Sequence, residues 1–114
     1  MKVCLFHEGI CPPGTSWEQR VQEMMDEAVY AEQCGFDVYA TGEQHFAGGE
    51  ATVSSPEIVL PFVAARTSVI RLRLASVNLL PYNHPIRVVE QISCLLYTSP
   101  SPRDLSTSRM PSSA

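Results

Sequence analysis

The chain has 114 residues, 45% of them apolar, and a net charge of −4. That is enough for one small domain, without the basic footprint of a nucleic-acid binder. No apolar run approaches the ~20 residues of a membrane span. The apolar N-terminus is too short for a signal peptide, because His7 and Glu8 interrupt it. A cytoplasmic protein is the expectation.

Residues 2–6 read as a first short strand. Pro12, Pro13 and Gly14 then force a loop. Ser16 with Gln19, and Thr15 with Glu18 one residue earlier, are capping-box signals. The helix they start carries an apolar stripe of Trp17, Val21, Met24, Met25, Ala28 and Ala31. Its acidic residues read as a solvated face, and Gly35 stops it as a C-terminal cap. Cys34 reads as a core residue at the helix end. Residues 36–40 are the second strand, and Gly48-Gly49 opens a flexible loop. Ser55-Pro56-Glu57 is a helix start with cap, first-turn proline and first-turn acid. That helix runs to about Thr67, and Pro61 should kink it or delay its start. Residues 70–80 read as the third strand, with Arg71 and Arg73 on one side. Unpaired buried charges are rare, so one arginine should lie where the strand begins. Pro85 opens a last helix with Ile86, Val89, Glu90 and Ile92, after which the pattern fades.

The order is strand, helix, strand, helix, strand, helix. Each strand is short and nearly continuously apolar, as in a parallel sheet covered on both faces. The strongest site signal is Gly42-Glu43-Gln44-His45-Phe46. It places a carboxylate, an amide and an imidazole at the C-terminal end of a strand, where α/β proteins carry their chemistry. Cys4, His7 and Cys11 make half of a metal site, but their spacing fits no closed zinc module. A metal-dependent barrel hydrolase using His7, Glu43, His45 and His84 is a rival reading, and it lacks a metal motif. No metal is expected.

From Cys94 the composition turns towards serine and proline, and residues 94–114 read as a disordered, non-native tail. Back-translated with permitted codons, residues 94–104 resemble the transposase adapter ligated to fragments in shotgun sequencing libraries. Residues 108–114 resemble the outer end of the same adapter, with 105–107 where a sample index sits. The expectation is native sequence over 1–93 and translated adapter over 94–114.

Residues 1–93 resemble the bacterial luciferase-like flavin-dependent monooxygenases. Three motifs carry the resemblance: Cys34-Gly35-Phe36-Asp37; Glu43-Gln44-His45-Phe46; and Leu80-Pro81 with His84-Pro85, followed by Glu90-Gln91. The resemblance implies the N-terminal part, about three βα units, of a TIM (β/α)₈ barrel. It also implies reduced FMN at the C-terminal mouth, oxidation of a small organic substrate with O2, delivery of flavin by a reductase, and a dimer when full length. Family members commonly read Glu-His-His-Phe, with the first histidine a catalytic base in the luciferases. Gln44 stands there in this chain, and an amide does not take a proton at neutral pH. By resemblance the catalytic candidates are Gln44 and His45, and the cofactor-binding candidates are Glu43, Ser76 and Val77. The Ser76–Val77 bond aligns with a place where the family often has a non-proline cis peptide. Glu43 has a second reading, as a buried ion pair with an arginine. The alternatives are a deazaflavin-dependent hydride-transfer enzyme of the same superfamily and a non-catalytic flavin-binding relative. The truncated chain is expected to be inactive alone.

Overall fold

The computed structural model describes residues 1–48, 50–51 and 53–98. The elements are β1 (Cys4–His7), α1 (Trp17–Gln33), β2 (Val38–Thr41), α2 (Pro56–Arg66), β3 (Arg71–Leu74) and α3 (Pro85–Thr98). The three strands form one parallel sheet in the order β1-β2-β3. Cys4 is level with Val38 and Arg71, and His7 with Thr41 and Leu74. These are three consecutive βα units of a TIM barrel.

The register sorts the side chains, because alternate strand residues face opposite ways. Leu5, Tyr39, Leu72 and Leu74 face the helices. They join a core of Ala28 and Ala31 from α1, Leu60 and Val63 from α2, and Ile70. Full burial of a side chain such as Leu60 contributes about 1.5–3 kcal/mol. The other face carries Cys4, Phe6, Val38, Ala40, Arg71 and Arg73, and both arginines are exposed. The charge problem of β3 is therefore resolved by an open inner face as well as by Arg71 at the strand start.

Helix α1 begins as its cap predicts: Ser16 Oγ accepts the Gln19 N–H at 3.1 Å. Gln19 does not complete the box; its side chain donates to Glu23 Oε1 at 3.0 Å. The helix ends in a Schellman motif. The Phe36 N–H reaches Ala31 O and the Gly35 N–H reaches Glu32 O, both at 3.0 Å. Gly35 adopts a φ of 82° that an L side chain resists. Trp17 and Cys34 are exposed, contrary to the core expectation. They occupy the first helical residue and the C-cap, beyond the reach of a four-residue strand.

Pro61 lies inside α2 without interrupting it. Its missing N–H removes a single intrahelical bond, and Leu60, Val63 and Ala64 hold the helix by burial. Ser55 makes no side-chain cap, leaving helix initiation to Pro56. Strand β3 ends at Leu74, six residues short of the expected end, because residues 75–80 turn away from β2 into the loop before α3. Helix α3 also outruns its expected pattern, so residues 94–98 are helical rather than irregular. Leu95 continues the spacing of Val88 and Ile92 and packs onto the core. The remainder of the expected tail, and Gly49, lie outside the described residues.

Candidate active site

The C-terminal strand ends converge where β2 runs into Gly42. A Cβ on this residue would stand 2.9 Å from Ser76 Oγ and 3.8 Å from the Phe6 ring. Glycine thus lets the chain beyond β3 close onto the end of β2. The closure is used at the next residue, where the Glu43 N–H donates to Ser76 Oγ at 3.3 Å.

The Glu43 side chain is only 5% exposed, and both of its oxygens are engaged. Oε1 lies 2.5 Å from His45 Nε2, and Oε2 accepts the Asn78 N–H at 2.9 Å. Burial pushes against its charge. The hydrogen bonds from His45 and Asn78 win and hold the carboxyl below its ordinary value. The arginine pairing considered for Glu43 is not what the structure shows: its ionic partner is His45. Gln44 is half-buried and pinned by its backbone, whose N–H donates to Val53 O at 2.8 Å. His45 is more open, with an edge-on contact to Tyr82 at 6.3 Å between centroids. Phe46 follows fully exposed in the left-handed region, with φ 54°. Most residues avoid that conformation, and it directs the loop away from the sheet.

Ser76 and Val77 lie in the loop after β3 and not on a strand, with Ser76 against Glu43. Their peptide bond is trans, correcting the cis geometry that the resemblance implied. An ordinary bond suffices because β3 has already ended and the loop carries the turn. Asn83 Nδ2 braces the loop by donating to Asn78 O at 3.1 Å. His84 turns inward on its own chain: Nδ1 accepts the Ile86 N–H at 3.2 Å and caps α3.

His7 does not reach the mouth from the inner face. It is buried on the helix side, level with Thr41. Nδ1 accepts the Gly9 N–H at 2.9 Å, and Nε2 lies 2.6 Å from both Glu27 Oε2 and Arg20 Nη2. Arg20 binds the same carboxylate at 2.9 Å and also donates to Ile10 O. Burial holds the His7 pKa below its ordinary value, against the pull of Glu27. Burial would raise Glu27, but Arg20 and His7 bring it down. Burial raises the Tyr39 phenol, and its hydroxyl and that of Thr41 have no partner among the described residues. His7, Glu43, His45 and His84 therefore do not assemble into one ligand set. Among the described residues, no group of three or more His, Cys, Asp or Glu is placed to hold a metal ion.

The inner face below the mouth has a shallow depression of about 220 Å³, lined by Cys4, Phe6, Ala40, Arg73 and Ala75. Ala40 and Ala75 are its small residues. Sequence reading missed Asn78, whose contribution includes a backbone N–H with no sequence signature. It also missed Asn83 and Tyr82, which act only once the loop has turned back.

Residues 1–100 match the sequence model of the luciferase-like monooxygenases. The alkanal monooxygenase beta chain of Vibrio harveyi is 35% identical over 97 residues, 84% of this chain and 29% of that one. Limonene 1,2-monooxygenase of Rhodococcus erythropolis is 37% identical over 70 residues, 61% of this chain and 18% of that one. The structure of apo-MsnO8 superposes with a TM-score of 0.79 at 26% identity, covering 87% of this chain and 30% of that one. The oxygenating constituent of 3,6-diketocamphane monooxygenase from Pseudomonas putida, in complex with FMN, gives 0.73 at 26% identity, covering 85% and 26%. The chain thus spans about three tenths of the length of the first of these relatives. With three parallel βα units and this mouth, the chain belongs to the luciferase-like monooxygenase family.

Proposed function

We propose that residues 1–93 are the N-terminal part of a flavin-dependent monooxygenase that uses reduced FMN and O2 to oxidise a small organic substrate. The observation that carries this is the Glu43–His45 pair at the end of β2 in a chain of this family. When bound, the flavin supplies the oxygen chemistry. This chain supplies position and proton handling. Ser76 and Val77, in the loop that Gly42 lets close onto β2, would help hold the flavin, with Ala75 beside them. His45 would hold or move a proton through its imidazole nitrogens. Gln44 binds and orients through its amide and does not act as the base. A flavin reductase supplies the cofactor, and the full-length protein works as a cytoplasmic dimer.

Residues 94–114 are read as translated adapter, and the codons of the underlying nucleotide read decide this. Codons other than the adapter's would end the idea. The 114-residue chain by itself exposes Phe6, Arg71 and Arg73 on the inner sheet face and leaves parallel edges unpaired. Expressed alone, it is expected to be inactive and insoluble or partly folded. Cooperative thermal unfolding of a soluble monomer would contradict that.

The activity is tested on the full-length protein obtained from an overlapping read. Expected are binding of reduced FMN and O2 uptake coupled to an oxygenated product. Binding of reduced FMN with no product would make it a non-catalytic binder. Turnover only with a reduced deazaflavin, independent of O2, would assign it to the hydride-transfer branch.

A further inference from the structure

The carboxylate of Glu43 is committed in a way that sets the chemistry of its neighbour. One oxygen accepts the Asn78 N–H, and a backbone N–H can only donate. The other oxygen faces His45 Nε2. An ionised carboxylate is an acceptor only, and the hydrogen bonds at this site hold the Glu43 carboxyl in its ionised form. Nε2 must therefore carry the proton, which leaves Nδ1 as the basic atom of the neutral ring. The backbone on either side of the carboxylate is also tied. The Glu43 N–H is held by Ser76 Oγ, and Asn78 is braced by Asn83. One side chain thus joins the loop after β2 to the loop after β3 and dictates the histidine tautomer.

We propose that Glu43 is a positioning residue, not a cofactor ligand: it locks His45 in the Nε2–H tautomer and presents Nδ1 as the proton acceptor of a site whose neighbouring position holds the amide of Gln44. This rests on the monooxygenase reading for its purpose, but not for its geometry. Asn78 makes the consequence unusually sharp. In a Glu43→Gln variant the Asn78 N–H still requires an acceptor, so the new amide oxygen turns to Asn78. The amide NH₂ then faces His45 and donates to Nε2. The imidazole proton has to move to Nδ1, and the acceptor atom is lost from where the native protein presents it.

The experiment is nitrogen NMR of histidine-labelled full-length protein without flavin, followed upward from about pH 8 until the His45 signals stop changing. Native protein is expected to show His45 protonated on Nε2. Glu43→Gln is expected to show it protonated on Nδ1, with a fall in kcat of about tenfold or more and unchanged affinity for reduced FMN. Rescue of the native tautomer by Glu43→Asp would support the carboxylate as its cause. A native ring protonated on Nδ1 overturns the proposal without any variant, and so does an Nε2 proton that survives in Glu43→Gln. Failure of the native protein to bind flavin would strike the monooxygenase reading and leave the tautomer result standing.

Discussion

The two ends of this sheet are both fastened by a glutamate, and they use it differently. At the N-terminal end, Glu32 of α1 takes three consecutive backbone N–H groups: Ser68, Val69 and Ile70, at 2.7–3.0 Å. Asp37 adds the Val3 N–H at 2.7 Å. These donors are main chain, and the carboxylates fasten the path from α2 into β3. At the C-terminal end, Glu43 divides its oxygens between one main-chain N–H and one imidazole. The lesson is that the same residue type gathers a run of backbone N–H groups at one end of the sheet and holds an imidazole at the other. This matches the division of a TIM barrel between a bottom that stabilises and a mouth that reacts.

Substitutions at the two ends of the full-length protein should therefore separate. The largest loss of stability is expected for Glu32→Ala, about 3 kcal/mol, because charge-assisted bonds to three donors go together. Flavin affinity should be unchanged, and urea unfolding with flavin titration measures both. If Glu32→Ala lost flavin binding while keeping its stability, the comparison would be broken. Glu43→Ala should show the opposite pattern: about 1–2 kcal/mol of stability, but a larger fall in turnover than any change at Glu32.

The His7–Glu27 pair gives a pH signature between these extremes. His7 is held neutral in the fold with its pKa lowered, so the unfolded chain binds more protons below about 6.5. Stability contributed by its burial is present above that pH and is lost as pH falls towards the folded value. The slope is at most about 1.4 kcal/mol per pH unit. Glu27 and Glu43, also lowered, act in the same direction but only below about 4.5. His7→Gln should remove the upper window and keep the lower one. Urea midpoints measured from pH 8 to pH 4 read this directly, and an unchanged upper window would place its cause elsewhere.

The smallest effect is expected at the contact that brings the two loops together. Gly42→Ala forces Ser76 Oγ off its 2.9 Å approach and with it the Glu43 N–H bond, costing about 1 kcal/mol. Ser76→Ala should cost a similar amount, and the double variant less than the sum, because both remove one interaction. Full additivity would show that the two residues do not act through the same contact.

Much of the fold was legible because it rests on local signals. The Schellman end at Gly35, the cap at Ser16 and the proline starts of α2 and α3 depend on residues within one turn. The misread features depend on what lies across the molecule. Trp17 has helical spacing but no sheet beneath it. Residues 75–80 have strand composition but leave the sheet to meet Glu43. Leu95 lies where the helical pattern was read as fading, and the core beneath α3 still holds it. Likewise, Glu43 and His45 stood out as titratable residues after a strand, yet their hydrogen bond, its tie to Asn78 and the diversion of His7 to Glu27 needed the assembled loops.

By itself the sequence determined the strand–helix order, the parallel sheet and the presence of an amide, Gln44, between Glu43 and His45. Periodicity, capping and residue chemistry are properties of short segments. Only the tertiary structure decided which face of β3 is open, which histidine faces the mouth and which nitrogen of His45 meets Glu43. Each of those depends on donors and acceptors far apart in the chain, brought within 3 Å only when the strands are in register.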